Sequence, residues 1–487
     1  MSGSLTRRRL IGMAAAALPA ASCDRVRSLL PSPPELVPFT VPSDSEDARI
    51  VHFLNRLTWG MAPGDFARLR AMASTPEDAT ARFVEEQLAP ESIDDSYARA
   101  ACAPLEAIRQ PVPELFEYKP SQLDDELTRQ AVIRAVHSRR QLHEVMVGFW
   151  SDHFNIDASK LDCQWFKTAD DRDVIRKHAL GTFRDLLRAS ALSPAMLFYL
   201  DGRRNLKFSP EDRPNENYAR ELLELHTLGV DGGYSQQDVM EAARCLTGWT
   251  VSGREVKLGI GRVQFRPAAH DNGPKTVLGQ QIAAGGGRAD LDALLAIVHS
   301  HPSTARYIAG KLCRWFIADQ PPDSAVSAVA QSFTSSGGDI RSCLRTLFGT
   351  PEFAASQGTK IKRPFHFVVS ALRASGAITH AGGTVKRALR VMGHVPFHYP
   401  TPEGPAPEGE AWLATLLHRW DFAAALASGK VGCSRLHPQR LIACAGGIPQ
   451  LLSHCFGRPP TTDELAAVGA TDEPLALALA APAFQTF

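Results

Sequence analysis

The stretch from Asn215 to Thr250 constrains the fold most, because it sets a helix, a glycine-rich turn and a second helix within one short span. The first helix carries Asn217, Arg220, Glu221, Glu224 and His226. Gly229 stops it, and Gly232 and Gly233 form the turn. Ser235 caps the second helix, with Asp238 three residues on as its capping-box partner. At about 100° per residue, Asn217, Glu221, Glu224 and Leu228 share one sector. Glu216, Arg220 and Glu224 form an adjacent ladder, while Ala219, Leu222, Leu223 and Leu225 make the apolar side, with His226 among them. Two carboxylates at i, i+3 repel unless a cation, a proton or a metal sits between them. Two readings therefore stand side by side: a functional site, or a structural ladder in which Arg220 pairs with Glu216 and Glu224.

Helical periodicity dominates the rest of the chain. Thr75-Pro76-Glu77-Asp78 is a helix start: cap, proline, then acids in the first turn. Leu123 to His153 reads as one long helix, with apolar residues at three- and four-residue steps. It ends in Phe149-Trp150-Ser151-Asp152-His153-Phe154-Asn155, a polar triple wedged between aromatics. His153 there suits a metal ligand or a general acid–base, and equally a hydrogen-bonded core residue. Glu255 to Leu258 and Arg262 to Phe265 alternate like a small hairpin. A polar loop follows that brings His270, Asp271 and Lys275 close in sequence, a binding loop or a solvated turn. A late proline-bounded loop, Gly393 to Pro400, carries His394 and His398. Three segments (186–200, 343–356 and 475–487) share leucines followed by a proline-started turn, too uneven to be a solenoid. The fold class expected is mainly α: a large multi-helix domain over 47–487 with a small β-hairpin insertion near 250–268.

The N-terminus reads as an address. Arg7-Arg8-Arg9 precedes an apolar run from Leu10 to Ala21 that is too short to span a bilayer. Residues 1–22 are therefore expected to be a signal peptide of the twin-arginine type, and 23–46 a Pro/Ser-rich tether. Ala20-Ala21-Ser22-Cys23 resembles a lipoprotein cleavage site, making Cys23 a candidate lipid anchor, although the usual leucine is missing. The chain is thus expected in the periplasm, or anchored on the periplasmic side of the membrane. No later run is long and apolar enough for a transmembrane helix. The formal net charge of +1 argues against bulk binding to nucleic acid. The nine cysteines include no CxxC pair and read as buried thiols or a single disulfide.

Several motifs together resemble the bacterial family catalogued as domain of unknown function 1800. They are LNRLTWG at 54–60, FWSDHFN at 149–155, NENYARELLELHTLGVDGGYSQQDV at 215–239, ARCLTGWT at 243–250, HDNGPKTVLG at 270–279, KRPFHFVVSALRASG at 362–376 and the closing APAFQTF. The resemblance implies a mostly helical exported protein. It also implies a gene neighbour from a second exported family, domain of unknown function 1501, which is similar to sulfatases. The late loop departs from the family pattern: it reads Gly393-His394-Val395-Pro396-Phe397, and Gly404 is followed by Pro405.

Two functions are expected from these residues. The first is a metal-assisted hydrolase or lyase acting on an extracytoplasmic polymer. Here His153, Glu221 and Glu224 would be catalytic and would hold a divalent metal, and Asn217, Arg220, His270, Asp271 and Lys275 would bind the ligand. The second is a non-catalytic binding or scaffold protein that partners an exported sulfatase-like protein. No HExxH, GxSxG or P-loop is present.

Overall fold

The computed structural model describes residues 35–252 and 259–487. The signal region, Cys23, most of the tether and the expected strand 255–258 lie outside the described residues. Within them, residues 35–44 lie against the helices rather than serving as a free tether. The Phe39 N–H donates to the Cys444 carbonyl at 3.0 Å, and Leu36 and Phe39 pack against the core.

The architecture is mainly α, with three small two-stranded antiparallel sheets. The helices that build the site are α1 (Ala48–Leu57), α2 (Pro120–His137), α3 (Gln141–His153), α4 (Asn217–Glu221), α5 (Gln236–Cys245), α6 (Ala289–Ser300), α7 (Pro302–Phe316), α8 (Pro364–Ala374) and α9 (Leu416–Ala427). A continuous cluster of buried apolar side chains runs from Ile50 to Phe484.

The capping signals act as their chemistry requires. Thr75 accepts from the Asp78 N–H, and Ser235 and Asp238 close a reciprocal capping box. The three similar segments each form a helix followed by a short helix with proline at its first turn: Phe183–Ala191 then Pro194–Tyr199, Ile340–Phe348 then Pro351–Ala354, Pro474–Ala480 then Pro482–Gln485. Each buries a large side chain, respectively Met196, Phe353 and Phe484.

Two helix expectations need correction, and one hairpin was not expected. The long helix over 123–153 is two helices, α2 and α3, broken at Ser138, whose backbone is extended at φ −66°, ψ 139°. The Gln141 amide donates to the carbonyls of Ala135 and Ser138 at 3.0 and 2.7 Å, so one side chain satisfies the helix end that periodicity alone would have run through. The hairpin expected near 250–268 pairs β1 (Trp249–Val251) with β2 (Val263–Phe265). A second hairpin, β3 (Lys275–Val277) with β4 (Gln280–Ile282), was hidden by its polar alternation. Finally, α4 passes at Leu222–Thr227 into a wider π-type turn, which shifts His226 from where a regular helix would put it.

The loop at 270–275 folds inward. The Lys275 ammonium is buried and donates to Asp290 Oδ2 at 2.6 Å, and His270 Nε2 lies 3.0 Å from the same oxygen. The Arg244 guanidinium grips both oxygens of Asp271 at 2.9 and 3.0 Å, with Lys207 beside it at 3.1 Å. Replacing Asp290 by alanine strands a buried lysine beside a buried histidine. Asp290→Ala is expected to lower unfolding stability by about 3–5 kcal/mol, read from urea denaturation. An unchanged midpoint would refute a structural role for this network.

Candidate functional site

The polar triple at the end of α3 lines two adjoining clefts, with Asp152 in the wall of both, His153 in the first and Asn155 in the second. Trp150 anchors the helix end by donating from Nε1 to the Ala179 carbonyl at 3.0 Å. The His153 ring is buried among Phe154, Trp150, Phe183 and Tyr307. Its Nε2 lies 3.1 Å from the His226 carbonyl, which can only accept, so Nε2 carries the proton. Nδ1 then holds a free lone pair and has no partner among the described residues. Burial first, and then the nearby Lys311 charge, holds this imidazole well below its usual range, so it is neutral.

Helix α7 crosses beneath with Tyr307, Lys311, Arg314 and Trp315 on one face, at i, i+4, i+7 and i+8. Lys311 makes no hydrogen bond or ion pair among the described residues; its nitrogen lies 5.4 Å from the centre of the Tyr307 ring. Burial lowers its ammonium to about 8, against an opposing pull from Asp152. Arg363, at the start of α8, donates to Asp152 Oδ2 at 2.8 Å and stacks its guanidinium on Trp315 at 4.2 Å. Burial outweighs Arg363 and raises the Asp152 carboxyl above its ordinary value.

These groups line a cleft with about 850 Å³ of unfilled space, mouth included. Its walls also hold Arg56, Lys360, Glu403 and the aromatic rings of Trp59, Phe149 and Phe487. Five cationic side chains (Arg56, Lys311, Arg314, Lys360 and Arg363) thus face two carboxylates, Asp152 and Glu403. The cations are only partly neutralised: Lys360 pairs with Asp319, whereas Arg56 leaves Nε and Nη1 without a partner among the described residues. A second cavity, with about 730 Å³ of unfilled space including its opening, adjoins the first, and Trp59, Asp152, Trp315, Arg363 and Pro405 line both.

The late loop from Gly393 to Pro407 is the strap over these cavities. Asn155 donates to the carbonyls of Tyr399 and Thr401 at 2.9 and 2.7 Å, and the Tyr199 hydroxyl to that of Pro400 at 2.9 Å. Gly404 has φ +77°, and a Cβ there would lie 2.4 Å from the Asp152 carbonyl oxygen. Only glycine lets the strap press this close to α3.

The acidic helix face meets the cleft only at its rim. Glu221 is half-buried, and its carboxyl is raised by burial, by Glu224 and by Glu403 on the strap. Glu224 accepts from the Tyr234 hydroxyl at 3.2 Å. Arg220 pairs with Glu216 at 3.2 Å and donates to Gln236, so the lower half of the ladder is structural. Asn217 donates to the Leu200 carbonyl at 3.0 Å. His153, Glu221 and Glu224 do not assemble as a ligand set: among the described residues no three His, Cys, Asp or Glu side chains gather as a metal-binding group. His270, Asp271 and Lys275 spend their hydrogen bonds on Thr247, Arg244, Lys207 and Asp290, away from the cleft lining. The eight described cysteines are all free thiols.

Lys311, Arg363, Trp315 and Glu403 were not singled out in the sequence. The one signal available was the Tyr307-Lys311-Arg314-Trp315 stripe, a polar and aromatic face on a helix whose opposite face is apolar.

Fold and site together describe a mainly helical protein with a cationic, aromatic-walled cleft under a strap that presses on α3 at Gly404. The family described as protein of unknown function, DUF1800, matches residues 52–486, and the chain belongs to it. No curated protein and no solved structure matches the chain. No described helix is long and apolar enough to cross a membrane.

The lowered Lys311 has a consequence for stability. Between about pH 8 and its ordinary value of 10.5, the unfolded chain holds a proton that the folded chain has released. This group therefore destabilises the fold at neutral pH, and the penalty fades as pH rises through that window. Lys311→Met is expected to be more stable than the parent at pH 7, with the difference closing towards pH 10.5. A difference independent of pH would show that Lys311 titrates normally.

Proposed function

We propose that the chain is an acid–base enzyme of the lyase or hydrolase type, acting on an anionic substrate outside the cytoplasm. The observation that supports this is the convergence of Lys311, Asp152 and Arg363 on one cleft with surplus positive charge. Lys311 is partly neutral near physiological pH, which suits a general base, and the raised Asp152 suits a proton donor. In the lyase form, Lys311 takes the proton from the carbon beside the substrate's anionic group. That electron pair becomes a C=C bond, the bond to the β-oxygen breaks, and Asp152 protonates the leaving oxygen. Arg363 and Arg56 offset the charge that develops on the substrate. A divalent metal, if used, would have to be held by fewer than three of these side chains. Glu221 and Glu224 on the rim are the remaining acidic candidates, with His153 inside. Export by the twin-arginine route and anchoring at Cys23 belong to the same proposal.

The test is turnover of carboxylated and phosphorylated extracytoplasmic polymers by the purified chain, followed by the rise of an unsaturated product or of new chain ends. Asp152→Asn and Lys311→Met are each expected to lower kcat by about 100-fold or more while the fold persists. Full activity in both variants would sink this assignment.

A second reading, a non-catalytic partner of an exported sulfatase-like protein, is favoured by a different observation. Leu413, Leu417 and Trp420 are exposed at helical spacing along the Gly409–Thr415 turn and α9, with Leu477 also exposed on the neighbouring Pro474–Ala480 helix. Such an apolar stripe suits a protein contact.

A further inference from the structure

The two adjoining cavities differ in chemistry. The first has cations to spare: among the described residues Lys311 makes no hydrogen bond and lies over the Tyr307 ring, and Arg56 has two nitrogens without a partner. In the second, every charge is cancelled locally. Arg176 holds both oxygens of Glu144 at 3.0 and 2.8 Å, His398 pairs with Asp124 at 2.6 Å, and Asp152 is held by Arg363. The Asn155 amide is committed to the strap carbonyls. His394 Nδ1 accepts from the Phe365 N–H at 3.3 Å, and burial keeps its imidazole neutral. Much of the remaining wall is apolar, with Trp59, Ala131, Val147, Phe365, Val395 and Phe397, and among the described residues the Ser151 hydroxyl is a fully buried oxygen there without a partner.

This wall is built at a conformational cost. Phe397 is a non-glycine residue at φ +68°, fixed by the Ala158 N–H donating to its carbonyl at 2.8 Å. Gly148 keeps Trp59 in place, since a Cβ there would lie 2.9 Å from the indole ring. Strain and close approach are thus found together in the wall of the second cavity.

A charged group placed in the second cavity would lose hydration without finding an unpaired counter-ion, whereas an apolar group would lose nothing and leave water. We infer that the second cavity takes the apolar body of a ligand whose anionic group sits among Lys311, Arg56 and Arg363. The ligand class is an amphipathic organic oxyanion: a carboxylate or phosphate on an alkyl or aryl body. This rests on the reading of the first cleft as an anion site and narrows its substrate.

The experiment titrates the full chain with acetate, 1-decanol, decanoate and decyl phosphate, read by the fluorescence of Trp59 and Trp315 at the boundary and checked by calorimetry. Decanoate or decyl phosphate is expected to bind about 100-fold tighter than acetate and about tenfold tighter than decanol. Which of the two binds tighter distinguishes a carboxylate from a phosphate head. Ala131→Phe and, independently, Val395→Trp fill the second cavity, and each is expected to lower decanoate affinity about tenfold or more with circular dichroism unchanged. Lys311→Met is expected to weaken acetate and decanoate alike. Decanoate binding no tighter than acetate would overturn the inference while leaving the anion cleft standing. Decanol binding as tightly as decanoate would overturn both. Tight decanoate binding that neither filling variant nor Lys311→Met alters would place the site elsewhere and overturn the inference.

Discussion

The ion pair between Asp152 and Arg363 is the contact on which the site depends. It joins the end of α3 to the start of α8, two helices more than two hundred residues apart in the chain, at 2.8 Å. Both side chains line both cavities, so the pair is the partition between them. Removing either partner would leave a charge in a site where burial already raises the Asp152 carboxyl. Stacked on Trp315, Arg363 also orients the face of α7 that carries Lys311.

Around this pair the buried polar and charged groups are of more than one kind. One kind is saturated: Lys275 and His270 on Asp290, Arg244 on Asp271 and Glu241, Lys167 on Asp170. These networks fix the β3–β4 hairpin and the inner helices, and their hydrogen bonds are used up. Another kind is left short of partners among the described residues, and in the first cleft these are Arg56, the Nδ1 of His153, the Nε2 of His366 and the Nε1 of Trp59, with the Lys311 nitrogen held only near the Tyr307 ring. Buried polar groups in native proteins normally find partners, so these groups give the cleft hydrogen-bonding capacity that a ligand could use, although other unpartnered buried atoms, such as those of His52, His226 and Arg419, lie outside its lining.

Much of the fold was legible in the residues. The Ser235–Asp238 box, the Thr75-Pro76 start and the proline-started turns are local signals, and each works through neighbours three or four residues away. The polar triple at 152–155 was legible as unusual for the same reason, since acid, imidazole and amide interrupt an aromatic run. Apolar periodicity runs straight through the break at Ser138, because that break depends on Gln141 folding back on the Ala135 and Ser138 carbonyls, a contact the periodicity does not record. The loop at 270–275 looked like a binding loop because its partners, Asp290 and Arg244, are far away in sequence.

By itself the sequence determined the helical class, the caps, the turn at Gly229 to Gly233 and the placing of Asp152 and His153 at a helix end, all of them consequences of short-range hydrogen bonding and side-chain period. Tertiary structure alone decided that Lys311 and Arg363 join Asp152, that Glu221 reaches the cleft only through Glu403, and that Lys275 is a buried counter-ion. The physical reason is that a charged side chain takes its role from what surrounds it after burial. Desolvation and counter-ions from distant segments set whether it is spent on the fold or held ready for a ligand.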